Sequence, residues 1–226
     1  MFINIFNFDN IGEFLLNAFY RVVPALICIT FHELAHGYTA YRLGDRTAKD
    51  MGRLTLNPIK HIDIFGLLMM IIFKFGWAKP VPVNMRNFKR PKWYMAITAI
   101  AGPLSNLIIA AVVMFIFGLI FEALGGNRAE GAGRVILQLV ENTAFLSVAL
   151  AVFNLMPIPP LDGSKVLFSL LPERTYYKLM QYERYGFIIL IVVLNTSVFR
   201  DTIGWLTDSI FDGFKELLYT AYWLVN

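Results

Sequence analysis

The chain has 226 residues, 57% hydrophobic and 16% charged, with a mean hydropathy of +0.58. Soluble domains carry about a quarter charged residues, so the composition excludes a soluble enzyme and indicates a polytopic membrane protein. The formal charge of +4 is bunched, with 5 of the 20 Lys and Arg in residues 42–60, 6 in 74–92 and 4 in 165–184. Basic residues held in short loops mark the cytoplasmic side of a membrane, whereas a nucleic-acid-binding face interleaves them with aromatics on a soluble fold.

The N-terminus lacks the basic opening of a cleaved secretory signal: its first basic residue is Arg21, after Asp9 and Glu13. The first apolar segment is therefore expected to stay in the mature chain as an uncleaved anchor. Residues 11–41 read as one long helix bent at Pro24, whose ring removes a backbone donor and clashes with the preceding turn. The single cysteine, Cys28, has no partner for an internal disulfide and reads as a small core residue. Residues 44–62 are polar and residues 78–91 carry Pro80, Pro82 and Pro91; both are expected to run extended. Between them, residues 64–73 are apolar, but at 1.5 Å rise per residue they reach through only about half a bilayer, as a re-entrant or interfacial helix would.

Residues 93–124 predict a spanning helix, with no Asp, Glu, Lys or Arg from 93 to 121, and residues 135–157 predict a second. Pro157, Pro159 and Pro160 stop the latter. Residues 185–200 are a third apolar run, expected to form another core helix of the bundle. In residues 203–224, Trp205, Phe211, Phe214, Leu217 and Leu218 alternate with Asp208, Asp212, Lys215 and Glu216, as in an amphipathic helix lying on the membrane or capping the bundle. The expected fold is an all-α polytopic membrane protein: a helical bundle forming one domain over residues 1–226, with a small extended or β element between the first and second long helices.

The chemistry sits at Phe31-His32-Glu33-Leu34-Ala35-His36. Two histidines four apart on a helix lie one turn apart on one face, the spacing at which both imidazoles reach one metal ion. The glutamate beside the first can take a proton from a water that zinc acidifies. An ionisable residue in the middle of a transmembrane helix costs at least ~2.5 kcal/mol, so three together in an apolar segment need a compensating partner, which a metal ion supplies. A catalytic metal takes a third protein ligand and leaves one position for water. Asp162 is the best candidate: it follows the proline break, where unwound backbone is tolerated only when buried in protein or lining a cavity, and it precedes Gly163, free to adopt unusual backbone angles. The competing reading of Asp162 is the N-cap of a following helix.

These motifs, with Asn154-Leu155-Met156-Pro157 and Leu161-Asp162-Gly163, resemble the site-2 protease family of intramembrane metalloproteases. Gly52-Arg53-Leu54-Thr55-Leu56-Asn57-Pro58, Gly76-Trp77-Ala78-Lys79-Pro80-Val81-Pro82-Val83-Asn84 and Ala101-Gly102-Pro103-Leu104-Ser105-Asn106 match as well, in the family's order across most of the chain. The likeness is to compact prokaryotic-type members without PDZ or CBS domains. It implies that His32, His36 and Asp162 bind one zinc ion, that Glu33 is the general base, and that Asn154 positions the scissile peptide or stabilises the oxyanion.

A fixed amide donor near a developing oxyanion would stabilise it in a low-dielectric site. Asn154 has a second reading, a hydrogen bond to a neighbouring helix or to a carbonyl freed by Pro157, and Asn106 has the same two. His61, the remaining histidine, is second-shell, interfacial, or a rival third ligand. The expected function is zinc-dependent hydrolysis of peptide bonds within or beside transmembrane segments of membrane proteins in the lipid bilayer of a prokaryotic cell. Residues 52–57 and 78–83 are either an edge for strand addition by an unwound substrate or plain connections. The alternative is a non-proteolytic metal-binding membrane protein, a transporter or regulatory scaffold, although paired repeats of the kind transporters show are absent. Charge asymmetry puts residues 42–92 and 165–184 in the cytoplasm and 121–134 outside, with the active site near the cytoplasmic side.

Overall fold

The computed structural model of the protein describes residues 11–73 and 76–225; the expected uncleaved N-terminus lies in part outside them. Helix α1 runs Ile11–Arg42 with Pro24 inside it. The one-turn helix α2 (Thr47–Asp50) and the apolar α3 (Ile64–Phe73) follow. Then come α4 (Pro91–Ile120), with Pro91 in its first turn where a missing N–H costs nothing, and α5 (Gly131–Leu155). Shorter helices α6 (Asp162–Ser169), α7 (Glu173–Gln181) and α8 (Gly186–Leu194) lead to α9 (Ser197–Val225). Helices α1, α4 and α5 are long and apolar enough to cross a membrane.

Helix α4 is the hub, packed against α1, α5, α6 and α9. Its packing is inside-out relative to a soluble protein. Ala96, Ala99, Gly102, Asn106 and Ala110 are buried, while Ile97, Ile100, Leu104, Ile108, Val112 and Ile116 form an exposed stripe three to four residues apart. Between helices in lipid, apolar transfer gives no driving force, so small residues that permit close approach hold the contact and large aliphatics face the hydrocarbon. The protein is an integral membrane protein.

Two expectations are corrected. No strand forms among the described residues; the expected extended element contains a single antiparallel bridge, Ile62 to Ala78, with Lys79 N–H donating to the His61 carbonyl at 3.0 Å. Pro80 and Pro82 lack the N–H groups a ladder needs, and side chains take several of the other backbone groups. Arg53 donates to the carbonyls of Lys79 (2.8 Å) and Pro80 (3.3 Å), Glu33 accepts from Val81 N–H (2.7 Å), and the buried Asp45 accepts from Asn84 N–H (2.7 Å).

The apolar run 185–200 is not one helix either. Asn195 Nδ2 donates to the Ile191 carbonyl and Thr196 Oγ1 to the Val193 carbonyl, each at 2.7 Å. Short polar side chains that take local carbonyls compete with the helical ladder, and beyond this break the chain turns through 87°. The nine residues of α8 rise about 14 Å, too short to span alone, and the amphipathic tail belongs to α9. Ile203, Leu206, Ile210 and Phe211 of α9 pack on Ala110 and Met114 of α4 and on Ala144 and Val148 of α5, so this helix is part of the bundle core.

Candidate metal centre

Helical periodicity alone brings His32 and His36 together on the inner face of α1, where both are buried. Their Nε2 atoms lie 3.0 Å apart. Asp162 opens α6, and its Oδ2 lies 3.2 Å from His32 Nε2 and 3.0 Å from His36 Nε2. No side chain caps this helix, so the N-cap reading of Asp162 fails: its carboxylate turns to the imidazoles instead.

Gly163 brings α6 to this position, though not through unusual backbone angles, since its φ is not positive. A Cβ there would fall 2.0 Å from the Leu155 carbonyl oxygen and 2.6 Å from that of Met156. Only glycine lets the start of α6 lie against the end of α5.

The donor set suits a cation. His36 Nδ1 sits 2.7 Å from the Thr98 carbonyl, which can only accept, so Nδ1 carries a proton and Nε2 is the nitrogen left to take a metal ion or a second proton. His36 Nε2 and Asp162 Oδ2 face each other at 3.0 Å, an arrangement that a shared proton or a metal ion between them satisfies. Tetrahedral zinc with bonds near 2.0–2.1 Å would space its ligand atoms about 3.3 Å apart, close to the observed separations. Two imidazoles and one carboxylate are also a donor set found at catalytic zinc sites, with the fourth position left for water.

Burial pushes the Asp162 carboxyl up, but the imidazoles of His32 and His36 and the ammonium of Lys165 outweigh it and hold the group well below the usual carboxylate range. Lys165 Nζ lies 3.6 Å from Asp162 Oδ1 and 3.6 Å from Glu183 Oε1, linking the site to the segment after α7.

Glu33 is half-buried beside His32, with Oε2 held by Val81 N–H. Asn154 Nδ2 donates to the Leu150 carbonyl at 2.9 Å, one turn back in its own helix, and contacts neither the cluster nor another helix through that bond. His61 is buried, with Nε2 2.9 Å from the Thr55 carbonyl, and is not among the three converging ligand atoms, which belong to His32, His36 and Asp162.

Sequence reasoning missed Gly102. A Cβ there would lie 2.4 Å from His36 Nε2 and 2.7 Å from His32 Cε1, so the two rings occupy the space a side chain would fill. The signal was present as Gly102-Pro103 inside an apolar helix, but its meaning depends on which helix packs opposite.

A buried cluster of two histidines and one aspartate that could hold a metal ion, set among helices long and apolar enough to cross a membrane, points to a class of protein, and comparison with known proteins agrees. The sequence profile described as Peptidase family M50 matches residues 118–196, which include Asn154 and Asp162. YwhC of Bacillus subtilis, named as a candidate zinc metalloprotease, is 43% identical over 179 residues, covering 79% of this chain and 81% of that protein. Rip2 of Mycolicibacterium smegmatis, named likewise, is 32% identical over 206 residues, 87% of this chain and 75% of its own. MJ0611 of the archaeon Methanocaldococcus jannaschii, also so named, is 31% identical over 138 residues, 61% of this chain and 63% of its own. No solved structure matches the chain. The chain belongs to peptidase family M50, the site-2 protease family.

The crowding at Gly102 yields a direct expectation. Gly102→Ala should push the imidazoles out of register and lower the metal content of the purified protein at least tenfold, as elemental analysis in detergent would read. Full metal occupancy in this variant would mean that the helices part without disturbing the rings.

Proposed function

We propose that the protein is an intramembrane zinc metalloprotease that hydrolyses peptide bonds within or beside the transmembrane segments of other membrane proteins. The observation that carries this reading is the convergence of three potential ligand atoms within 3.0–3.2 Å of one another inside a bundle of helices long enough to span a membrane, with a glutamate next to the first histidine. The zinc in the relatives' names supports the choice of ion.

His32, His36 and Asp162 are the ligands in this proposal, and the three unite as one domain the helices that carry them. Zinc at this site would supply a Lewis acid and would acidify a bound water toward neutrality. Glu33 is the general base: Val81 N–H fixes one carboxylate oxygen, leaving the other to receive the proton of the attacking water and return it to the leaving amine. Asn154 is proposed to exchange its bond to the Leu150 carbonyl for one to the substrate carbonyl, stabilising charge that develops there. A substrate helix must unwind locally before its internally hydrogen-bonded amides are accessible.

The eleven Lys and Arg of residues 42–92 support a cytoplasmic location for the site, and bacterial and archaeal relatives support a prokaryotic cell membrane. In intact cells, cysteines introduced at Asn127 and Asn87 should differ: the first labelled by an impermeant maleimide, the second protected. The reverse pattern would invert the topology.

A metal-binding protein without protease activity is the alternative, and Glu33 separates the two, because a passive site has no use for a base. Glu33→Gln should keep its zinc and lose about 10²–10⁴ in cleavage rate on a model transmembrane substrate. Cleavage near the wild-type rate would refute the mechanism. For the ligand set, Asp162→Ala should lose zinc while His61→Ala keeps it. Metal analysis showing the opposite would transfer the third ligand to His61.

A further inference from the structure

Helix α4 contributes no ligand to the metal centre, yet three of its residues meet the two imidazoles. Thr98, Gly102 and Asn106 recur every four residues, on one face of the helix. The Thr98 carbonyl takes the Nδ1 proton of His36, and Gly102 leaves room for both rings. Asn106 is fully buried, and its side-chain amide lies 3.2 Å from His32 Nδ1.

In the amide orientation drawn, Nδ2 faces the ring, and Oδ1 is buried without a hydrogen-bond partner. The oxygen and nitrogen of a side-chain amide are interchangeable in shape, and hydrogen-bond chemistry decides between them. A histidine that presents an Nε2 lone pair to a metal carries its proton on Nδ1 and donates it. Exchanging the two amide atoms therefore gives the orphaned oxygen a donor and His32 an acceptor.

We propose that Asn106 is a positioning residue: its Oδ1 accepts the Nδ1 proton of His32 and so selects the tautomer whose Nε2 is free for the metal. This rests on the metal-site reading above. The side chain of Asn106 then does for His32 what the backbone of Thr98 does for His36, and α4 prepares both imidazoles from one face. A neutral acceptor is sufficient here because Asp162 already provides negative charge to offset a divalent ion. Outer-shell partners of this kind set ring orientation and ligand basicity, and their loss typically costs about 10–100-fold in metal affinity.

The test uses the full chain in detergent micelles, with zinc affinity read by competition against a chromophoric chelator. Asn106→Leu, of similar volume but without an acceptor, should bind zinc about 10–100-fold more weakly. Asn106→Asp, which keeps an acceptor and removes the amide donor, should stay within about threefold of wild type. Wild-type affinity in Asn106→Leu would overturn the proposal, as would an Asn106→Asp variant as weak as Asn106→Leu. The tautomer of His32 in zinc-free wild-type protein, read by histidine ¹⁵N NMR, decides the matter even if a variant fails to fold. A proton on Nδ1, in the neutral or the cationic ring, is expected, and the neutral Nε2–H form overturns it. Absence of zinc binding by the wild type would instead refute the metal-site reading, with the tautomer still judging Asn106.

Discussion

Two imidazole nitrogens and a carboxylate oxygen meet within 3.0–3.2 Å, buried inside the helix bundle. In low dielectric such a cluster repels itself unless a cation or protons lie within it, and much of the nearby architecture serves to hold the three atoms together. Helix α1 supplies two of them at one-turn spacing. The end of α5 and the start of α6 meet through Gly163 to supply the third, and α4 presses on both rings through the empty space at Gly102. Lys165 and Glu183 extend the charge pairing outward, so the buried carboxylate belongs to a chain of alternating charges.

Irregular backbone near such a site raises a second demand, since unpaired amides and carbonyls are costly at membrane depth. The connection between α3 and α4 meets it without a sheet. Arg53 holds the Lys79 and Pro80 carbonyls, Asp45 holds Asn84 N–H, and Glu33 holds Val81 N–H. With Pro80 and Pro82 on either side, Val81 offers an isolated N–H that turns toward the glutamate. The segment is thus tied directly to the candidate base, and any movement of the connection would be felt at that carboxylate.

The same trade of backbone bonds for side-chain bonds sets the other end of the molecule. Asn195 and Thr196, whose side chains take carbonyls of α8, sit where the apolar run breaks. The result is a short α8 at a steep angle to α9, and an α9 whose apolar face closes the bundle over α4 and α5. Charged residues on its other face, such as Asp212 paired with Lys215, account for its amphipathic pattern.

Local chemistry made part of this legible from residues alone. The four-residue spacing of His32 and His36 acts within a single helix, so periodicity suffices to bring them together, and runs free of charge reveal spanning helices because the bilayer enforces their composition. The proline break likewise pointed to Asp162, although the need for Gly163 proved to be close approach of two helices and not backbone freedom. Packing decided the rest. The roles of Gly102, Thr98 and Asn106 depend on α4 lying against α1, and Asp162 rather than His61 joins the cluster because α6 docks beside α4 and α5. The expected β element shrank to one bridge because buried side chains from distant positions satisfied its backbone first. Such pairings join residues as far apart as Glu33 and Val81, and no local pattern encodes them; they exist only once the helices have chosen their neighbours.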